Sequence, residues 1–278
     1  DTLDPMRGIE LPGRTIPVPT SVSSEAQAAL AVQLPTSQPF PPIENSAAWQ
    51  VHVSQFDQWY ALTGAQMAAP RAQVQPTCIA GVQVAHAIPE EWRFPAGKVV
   101  LDLHGGAMIY SGGEQVLHTA AHLASRIGAE LISIDYRMPP HAPYPACLDD
   151  CMAVYAAAVE QYGSSNIIVR GLSAGGNLAA ALTLRARDEG LPMPQALILL
   201  TPEADLTESG DTFQTLAGID RLSSLMPVNL LYANGHALDD PYLSPLFGDF
   251  AKGFPPTFLQ SGTRDLFLSN TVRMHRRL

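Results

Sequence analysis

Asn166-Ile167-Ile168-Val169-Arg170-Gly171-Leu172-Ser173-Ala174-Gly175 begins as a short apolar run, bends at a serine flanked by glycines, and leads into the helix-period segment Gly175–Asp188. A strand, a tight turn and a helix in that order form a nucleophile elbow. The bend leaves no room for side chains at Gly171 or Gly175, whereas the serine is carried out to the sheet's C-terminal edge. The helix that follows aims its positive N-terminal end at the same place. The competing reading is a strand-to-helix turn that uses glycine only for packing.

Outward from this stretch, short apolar runs alternate with helical segments. Cys78–Ala85, Lys98–Leu103, Glu130–Asp135, Asn166–Val169, Gln195–Leu200 and Thr257–Gln260 read as strands, and Glu114–Arg126, Leu148–Tyr162 and Gly175–Asp188 as helices. Buried runs separated by helices predict an α/β fold, a mostly parallel central sheet with helices on both faces. The interval from Thr201 to Pro241 interrupts the rhythm with two short helical pieces, near Thr212–Ala217 and Val228–Ala233, and looks inserted. The first 75 residues differ in kind: a Pro- and Gly-rich arm, a short helix capped at Ser23 or Ser24, the break PTSQPFPP over 35–42, and an amphipathic helix from Asn45 to about Ala69. Trp49, Val53, Phe56 and Tyr60 line one face of that helix, which needs an apolar partner. They read as a helical appendage rather than part of the sheet, and residues 76–278 as the core.

Composition narrows the partners. The chain has 278 residues, 46% hydrophobic and 15% charged, which excludes disorder. Its 16 basic and 26 acidic residues give a net charge of −10, so no nucleic-acid partner is expected. No apolar run reaches membrane-spanning length. Cys78, Cys147 and Cys151 cannot all pair, and Cys147 and Cys151 read as small core residues four apart on a helix. This usage suggests a reducing, cytoplasmic setting.

Two further stretches carry chemistry. His104-Gly105-Gly106-Ala107 follows the strand KVVLDL, where small residues let backbone N–H groups approach an oxyanion; with the N–H of Ala174 they would form its donor pocket. His104 reads as orienting that loop rather than as a base. Gly262-Thr263-Arg264-Asp265 follows the strand TFLQ, and Asp265 is placed either to orient an imidazole or to cap the next helix. The apolar residues after the donor loop, Met108 and Tyr110, with Leu172 beside the serine, are candidate pocket walls. His118 and His122 stand four apart without a third ligand, so no metal is expected. Asp149 and Asp150 read as helix N-terminal charges rather than a glycosidase pair.

From about Lys98 onward the chain resembles the hormone-sensitive-lipase-like family of α/β-hydrolase esterases. Beyond the elbow, the shared stretches are Asp135-Tyr136-Arg137, Pro139, Pro143-Tyr144-Pro145-Ala146 and Leu148-Asp149-Asp150. Thr201-Pro202, Asp205-Leu206, Asp240-Pro241, Ser244-Pro245, Pro255-Pro256-Thr257 and Gly262 with Asp265 follow in family order. The resemblance implies the α/β-hydrolase fold, Ser173 as nucleophile, Asp265 as triad acid, and Gly105, Gly106, Ala107 and Ala174 around the oxyanion hole, with residues 1–75 and 205–235 as the cap. Three positions depart from the family: Leu172 where Asp is usual, Ala107 where a third glycine is usual, and Pro140 where Glu is expected. The first predicts altered stability or substrate range.

The triad order in this fold is serine, acid, histidine. His275, ten residues past Asp265, would lie about 15 Å along the next helix. A return to the sheet edge takes roughly 25–35 residues of ordinary elements and loops. The base is therefore expected beyond Leu278, together with the last strand of the sheet; His236 in the insertion is the alternative, and a product that has lost its base is a third. The implied activity is a cofactor-free serine carboxylesterase acting on short- to medium-chain acyl esters through an acyl-enzyme, with a homodimer compatible with the family. A non-catalytic small-molecule-binding protein and an amidase with the same triad are the alternatives.

Overall fold

Asp102 is the fourth residue of a five-residue strand, Val99–Leu103 (β3 below), in which every residue is buried. Only a strand sandwiched between two layers is buried throughout, and this one anchors the sheet. The computed structural model describes Gly13 and residues 15–32, 39–64 and 68–278. The chain forms two compact units, residues 1–38 and 39–278. In the first lies α1 (Ser24–Ala31), none of whose residues is buried; Ser23 caps it, its Oγ accepting the Ala26 N–H at 3.3 Å. The PTSQ part of the predicted 35–42 break, and Ala65–Met67 of the predicted 45–69 helix, lie outside or partly outside the described residues.

The second unit carries α2 (Ser46–Gly64), β1 (Ala72–Ile79), β2 (Val82–Pro89), β3 (Val99–Leu103), α3 (Glu114–Ile127), β4 (Glu130–Ile134), α4 (Ala146–Tyr162), β5 (Ile167–Leu172), α5 (Ala174–Asp188), β6 (Ala196–Leu200), α6 (Thr212–Thr215), α7 (Met226–Ala233), β7 (Thr257–Gln260) and α8 (Leu268–Arg277). The strands form one sheet in the order β1-β2-β4-β3-β5-β6-β7. β4, β3, β5, β6 and β7 run parallel, and β2 joins β4 antiparallel. The expected mostly parallel α/β sheet is therefore present.

One expectation is corrected. Cys78–Ala85 is not a single strand but the end of β1, a turn, and the start of β2, with Ile79 opposite Val82. Ala80 and Gly81 form the turn with φ of 51° and 83°, the paired positive values of a two-residue hairpin. Alanine is not a residue that advertises such a turn, and the apolar run passes through it unbroken.

Strand alternation sorts the core into two layers. Val99, Leu101 and Leu103 face a cluster with Cys147, Leu148 and Cys151 of α4 and Leu178 and Leu182 of α5. Val100 faces the other way, onto Val116, Ala120 and Ala124 of α3. In α5, 12 of 15 residues are buried, which explains its run of glycine and alanine: a helix enclosed nearly all round must be thin. Asp102 lies level with Ser133 on β4 and Arg170 on β5, the two neighbouring strands. Its carboxylate takes both: the Arg170 guanidinium pairs with it and the Ser133 hydroxyl donates to it at 2.9 Å. A third apolar cluster gathers Trp49 of α2, Ile109 and Tyr110, Phe213 of α6, Leu225, Val228 of α7 and Phe267. The amphipathic face predicted on α2 thus finds its partner surface, with Phe56 stacked on Tyr110 at 4.1 Å between ring centres.

Candidate active site

The strand order reverses direction at β3 and β5: the chain builds outward to β4 on one side and to β6 and β7 on the other. The carboxyl ends of strands at such a switch point are where ligands bind in open α/β sheets. The segments singled out from the sequence meet along this edge: His104-Gly105-Gly106-Ala107 leaves β3, Ser173 leaves β5, Thr201 leaves β6, and Ser261 to Asp265 leave β7.

Ser173 has φ 56° and ψ −119°, a conformation costing a non-glycine residue on the order of 1–3 kcal/mol. It is over-determined by its neighbours. Its N–H donates to Leu200 O at 2.9 Å, and its carbonyl accepts from the N–H groups of Gly176 (2.9 Å), Asn177 (3.1 Å) and Glu203 (3.2 Å). Close approach explains the flanking glycines: a Cβ at Gly171 would collide with the Gly175 carbonyl, and one at Gly175 with the carbonyls of Leu103 and His104. The strand-turn-helix is therefore an elbow in geometry as well as in sequence.

The loop after β3 lies against it. A Cβ placed on Gly105 would sit 3.1 Å from Leu172 O and 3.5 Å from the Ser173 Cβ. Gly106 has φ 123°, and a side chain there would strike the Tyr110 carbonyl. Ala107 and Met108 follow with φ 51° and 61°, and the loop closes through Ile109 N–H and Tyr110 N–H onto Gly106 O at 3.0 and 2.8 Å. This winding leaves the N–H groups of Gly106 and Ala107 without an acceptor among the described residues, as is that of Ala174 in the first turn of α5.

His104 is buried beneath this loop, its Nε2 without a hydrogen-bond partner among the described residues. Its ring stacks on Tyr136 at 4.2 Å, its Nδ1 donates to Gly105 O at 2.7 Å, and the Tyr136 hydroxyl donates to His104 O at 2.7 Å. Burial lowers its pKa, against the opposing pull of Asp102, Asp135 and Asp57. A neutral imidazole that braces backbone is what the loop geometry requires of it.

Asp265 precedes α8 and is half-buried. Its carboxylate accepts from the hydroxyls of Thr201 and, at 3.0 Å, Ser261, and from the Phe267 N–H at 2.8 Å. The helix starts three residues later, so the side chain closes a local turn rather than capping α8. Among the described residues no histidine hydrogen-bonds to Asp265 or Ser173. His52 bonds the Tyr110 hydroxyl, His86 pairs with Glu130, His236 packs edge-on against Tyr144, and His275 lies exposed on α8.

The candidate pocket residues separate. Leu172 is 39% exposed beside the serine, Tyr110 belongs to the aromatic cluster with Trp49, and Met108 is packed into the main core. Of the helix-start acids, Asp150 takes the Arg137 guanidinium through both oxygens and Asp149 pairs with Arg185. His118 and His122 lie 4.5 Å apart between ring centres.

Sequence reasoning missed Thr201 and Ser261, which hold Asp265, and Glu203, whose backbone braces the elbow. Thr201-Pro202 was visible only as part of a family-like stretch; nothing local marks its hydroxyl as a partner of a residue 64 positions away. Glu203 is 1% exposed, and neither carboxyl oxygen has a hydrogen-bond partner among the described residues.

A sheet of this order, carrying a strained serine elbow at its switch point, defines an α/β hydrolase. Residues 100–278 match the model of the alpha/beta hydrolase fold family. An esterase of Acinetobacter venetianus is 33% identical over 218 residues, covering 75% of this chain and 69% of that protein. The hormone-sensitive lipase of Bos taurus is 30% identical over 154 residues, 51% of this chain and 20% of the lipase. The crystal structure of an esterase, E25, superposes with a TM-score of 0.89 at 35% identity, covering 98% of this chain and 86% of that one. The chain belongs to the α/β-hydrolase fold family and, within it, to the hormone-sensitive-lipase-like esterases.

Proposed function

We propose that the protein is a serine carboxylesterase that cleaves short- to medium-chain acyl esters through an acyl-enzyme on Ser173. Family membership makes it a carboxylic ester hydrolase, and the esterase relatives do not favour a non-catalytic binding role. The observation that carries the mechanism is the pairing of a strained, exposed-edge serine with unpaired N–H groups of Gly106, Ala107 and Ala174 against the same edge, Gly105 packing beside it.

In this reading Ser173 Oγ attacks the ester carbonyl and its proton passes to an imidazole. The carbonyl oxygen becomes an oxyanion facing the free N–H groups, each such donor contributing roughly 10²–10³ in rate. Collapse expels the alcohol, which takes the proton from the imidazolium; water then repeats the sequence on the acyl-enzyme. Asp265, held by Thr201, Ser261 and Phe267, orients the imidazole. In the family order of serine, acid, histidine the base is an imidazole; among the described residues no histidine hydrogen-bonds to Ser173 or Asp265. The insertion of 205–235 and α2 form the cap, and Leu172 with the Tyr110 and Trp49 cluster supplies an apolar wall suited to acyl chains.

A cytoplasmic location suits the three unpaired cysteines, two of them buried. No helix among the described residues is long and apolar enough to cross a membrane. The acidic balance disfavours nucleic acid, and a homodimer is compatible with the reading. In the full-length polypeptide, Ser173→Ala should abolish hydrolysis of p-nitrophenyl butyrate and labelling by a fluorophosphonate. Turnover surviving that change refutes the assignment.

A further inference from the structure

The insertion does more than lie across the site: it grips the backbone that carries the acid. Asp220, in the insertion after α6, accepts the Leu266 N–H through Oδ2 at 2.6 Å and the Leu222 N–H through Oδ1 at 3.1 Å. Thr212, the first residue of α6, donates its hydroxyl to Leu266 O at 2.6 Å and accepts the Ser269 N–H at 3.1 Å. Both backbone groups of Leu266, the residue directly after Asp265, are thus satisfied by side chains of the insertion. Phe213 packs edge-on against Phe267 at 5.8 Å beside them, and Arg273 of α8 pairs with Asp205 at the start of the insertion at 2.7 Å.

The Leu266 N–H belongs to the peptide plane attached to the Asp265 Cα. Its opposite end, the Asp265 carbonyl, accepts the Leu268 N–H at 3.0 Å. A peptide plane held at both ends leaves the residue on its N-terminal side little freedom in ψ. The direction in which Asp265 presents its carboxylate is therefore fixed from two sides: hydroxyls of Thr201 and Ser261 at the sheet edge, and Asp220 from the insertion.

We propose that Asp220 is a positioning residue for Asp265, with Thr212 sharing the task, so that the insertion sets the geometry of the triad acid as well as covering the pocket. This rests on the reading of Asp265 as the acid. A displacement of about 1 Å at such a group costs on the order of a hundredfold in rate. In the full-length polypeptide, Asp220→Ala should lower kcat for p-nitrophenyl butyrate about tenfold to a hundredfold with KM little changed. The acid limb of its pH profile should move downward, because an imidazole that loses its carboxylate partner becomes less basic. Asp220→Asn, which keeps an acceptor oxygen, should recover most of the loss. If Asp220→Ala does not fold, Thr212→Val against Thr212→Ser reads the same clamp, the serine variant retaining activity. A folded Asp220→Ala protein with unchanged kcat overturns the proposal, as does a loss confined to KM or to melting temperature. Ser173→Ala, measured alongside, separates the two ideas: activity surviving there removes the underlying reading, whereas activity lost there but intact in Asp220→Ala removes only this one.

Discussion

Replacing Glu203 by glutamine should flatten the alkaline half of the protein's stability profile. Burial pushes this carboxyl up from 4.5 to about 8; the carboxylates of Glu208 and Asp205 reinforce the shift and the Asn229 side chain opposes it. In the unfolded chain the group ionises near 4.5, whereas in the native state it holds its proton to about pH 8. Below the lower value both states are protonated and nothing is lost. Between the two, unfolding releases a proton, and the native state loses about 1.4 kcal/mol per pH unit. The full loss between pH 4.5 and 8 is about 5 kcal/mol, comparable with the total stability of many domains. Glutamine has almost the same shape and no charge to lose, so its constant effects cancel when only the pH dependence is compared. Urea unfolding of both proteins at pH 5, 7 and 9 should show the wild type losing several kcal/mol relative to Glu203→Gln as pH rises. Two curves that stay parallel across that range refute the buried neutral acid. The elbow should feel the same titration, because the Glu203 N–H is one of three that hold the Ser173 carbonyl.

Gly106→Ala forces a side chain onto the Tyr110 carbonyl at a φ that alanine avoids; ester turnover should fall at least a hundredfold, as loss of an oxyanion donor does, and near-wild-type kcat in a folded variant argues against this loop as the donor. Arg170→Met leaves Asp102 buried with only the Ser133 hydroxyl, and should cost about 3–5 kcal/mol in chemical unfolding; a cost under about 1 kcal/mol shows the carboxylate finds other relief.

The parts legible in the sequence were those whose constraint is local. The elbow needs glycines within two residues of the serine because the colliding atoms, the Gly175 and Leu103 carbonyls, lie on the turn itself and the adjacent strand. The parallel core strands showed as apolar runs because both faces are covered. The β1–β2 hairpin stayed hidden, since its turn is built on Ala80 and leaves no polar break. The partners of Asp265 were invisible for another reason: Thr201, Ser261 and the Asp220 clamp come from three segments that meet only after β6, β7 and the insertion have packed. The Asp102–Arg170 pair depends on strand register, which neither sequence states alone. Glu203 read as one more residue in a family-like stretch, and nothing in its neighbours foretold a carboxyl without partners.

The narrow gap between Gly105 and the serine has a practical corollary for engineering. A Cβ at Gly105 would come within 3.1 Å of the Leu172 carbonyl, so even alanine there requires the turn that carries Ser173 to give by a few tenths of an ångström. Variation is better placed at Leu172, whose side chain is 39% open to solvent beside the serine. A designer seeking bulkier acids or alcohols should therefore widen from that side and leave the glycines alone.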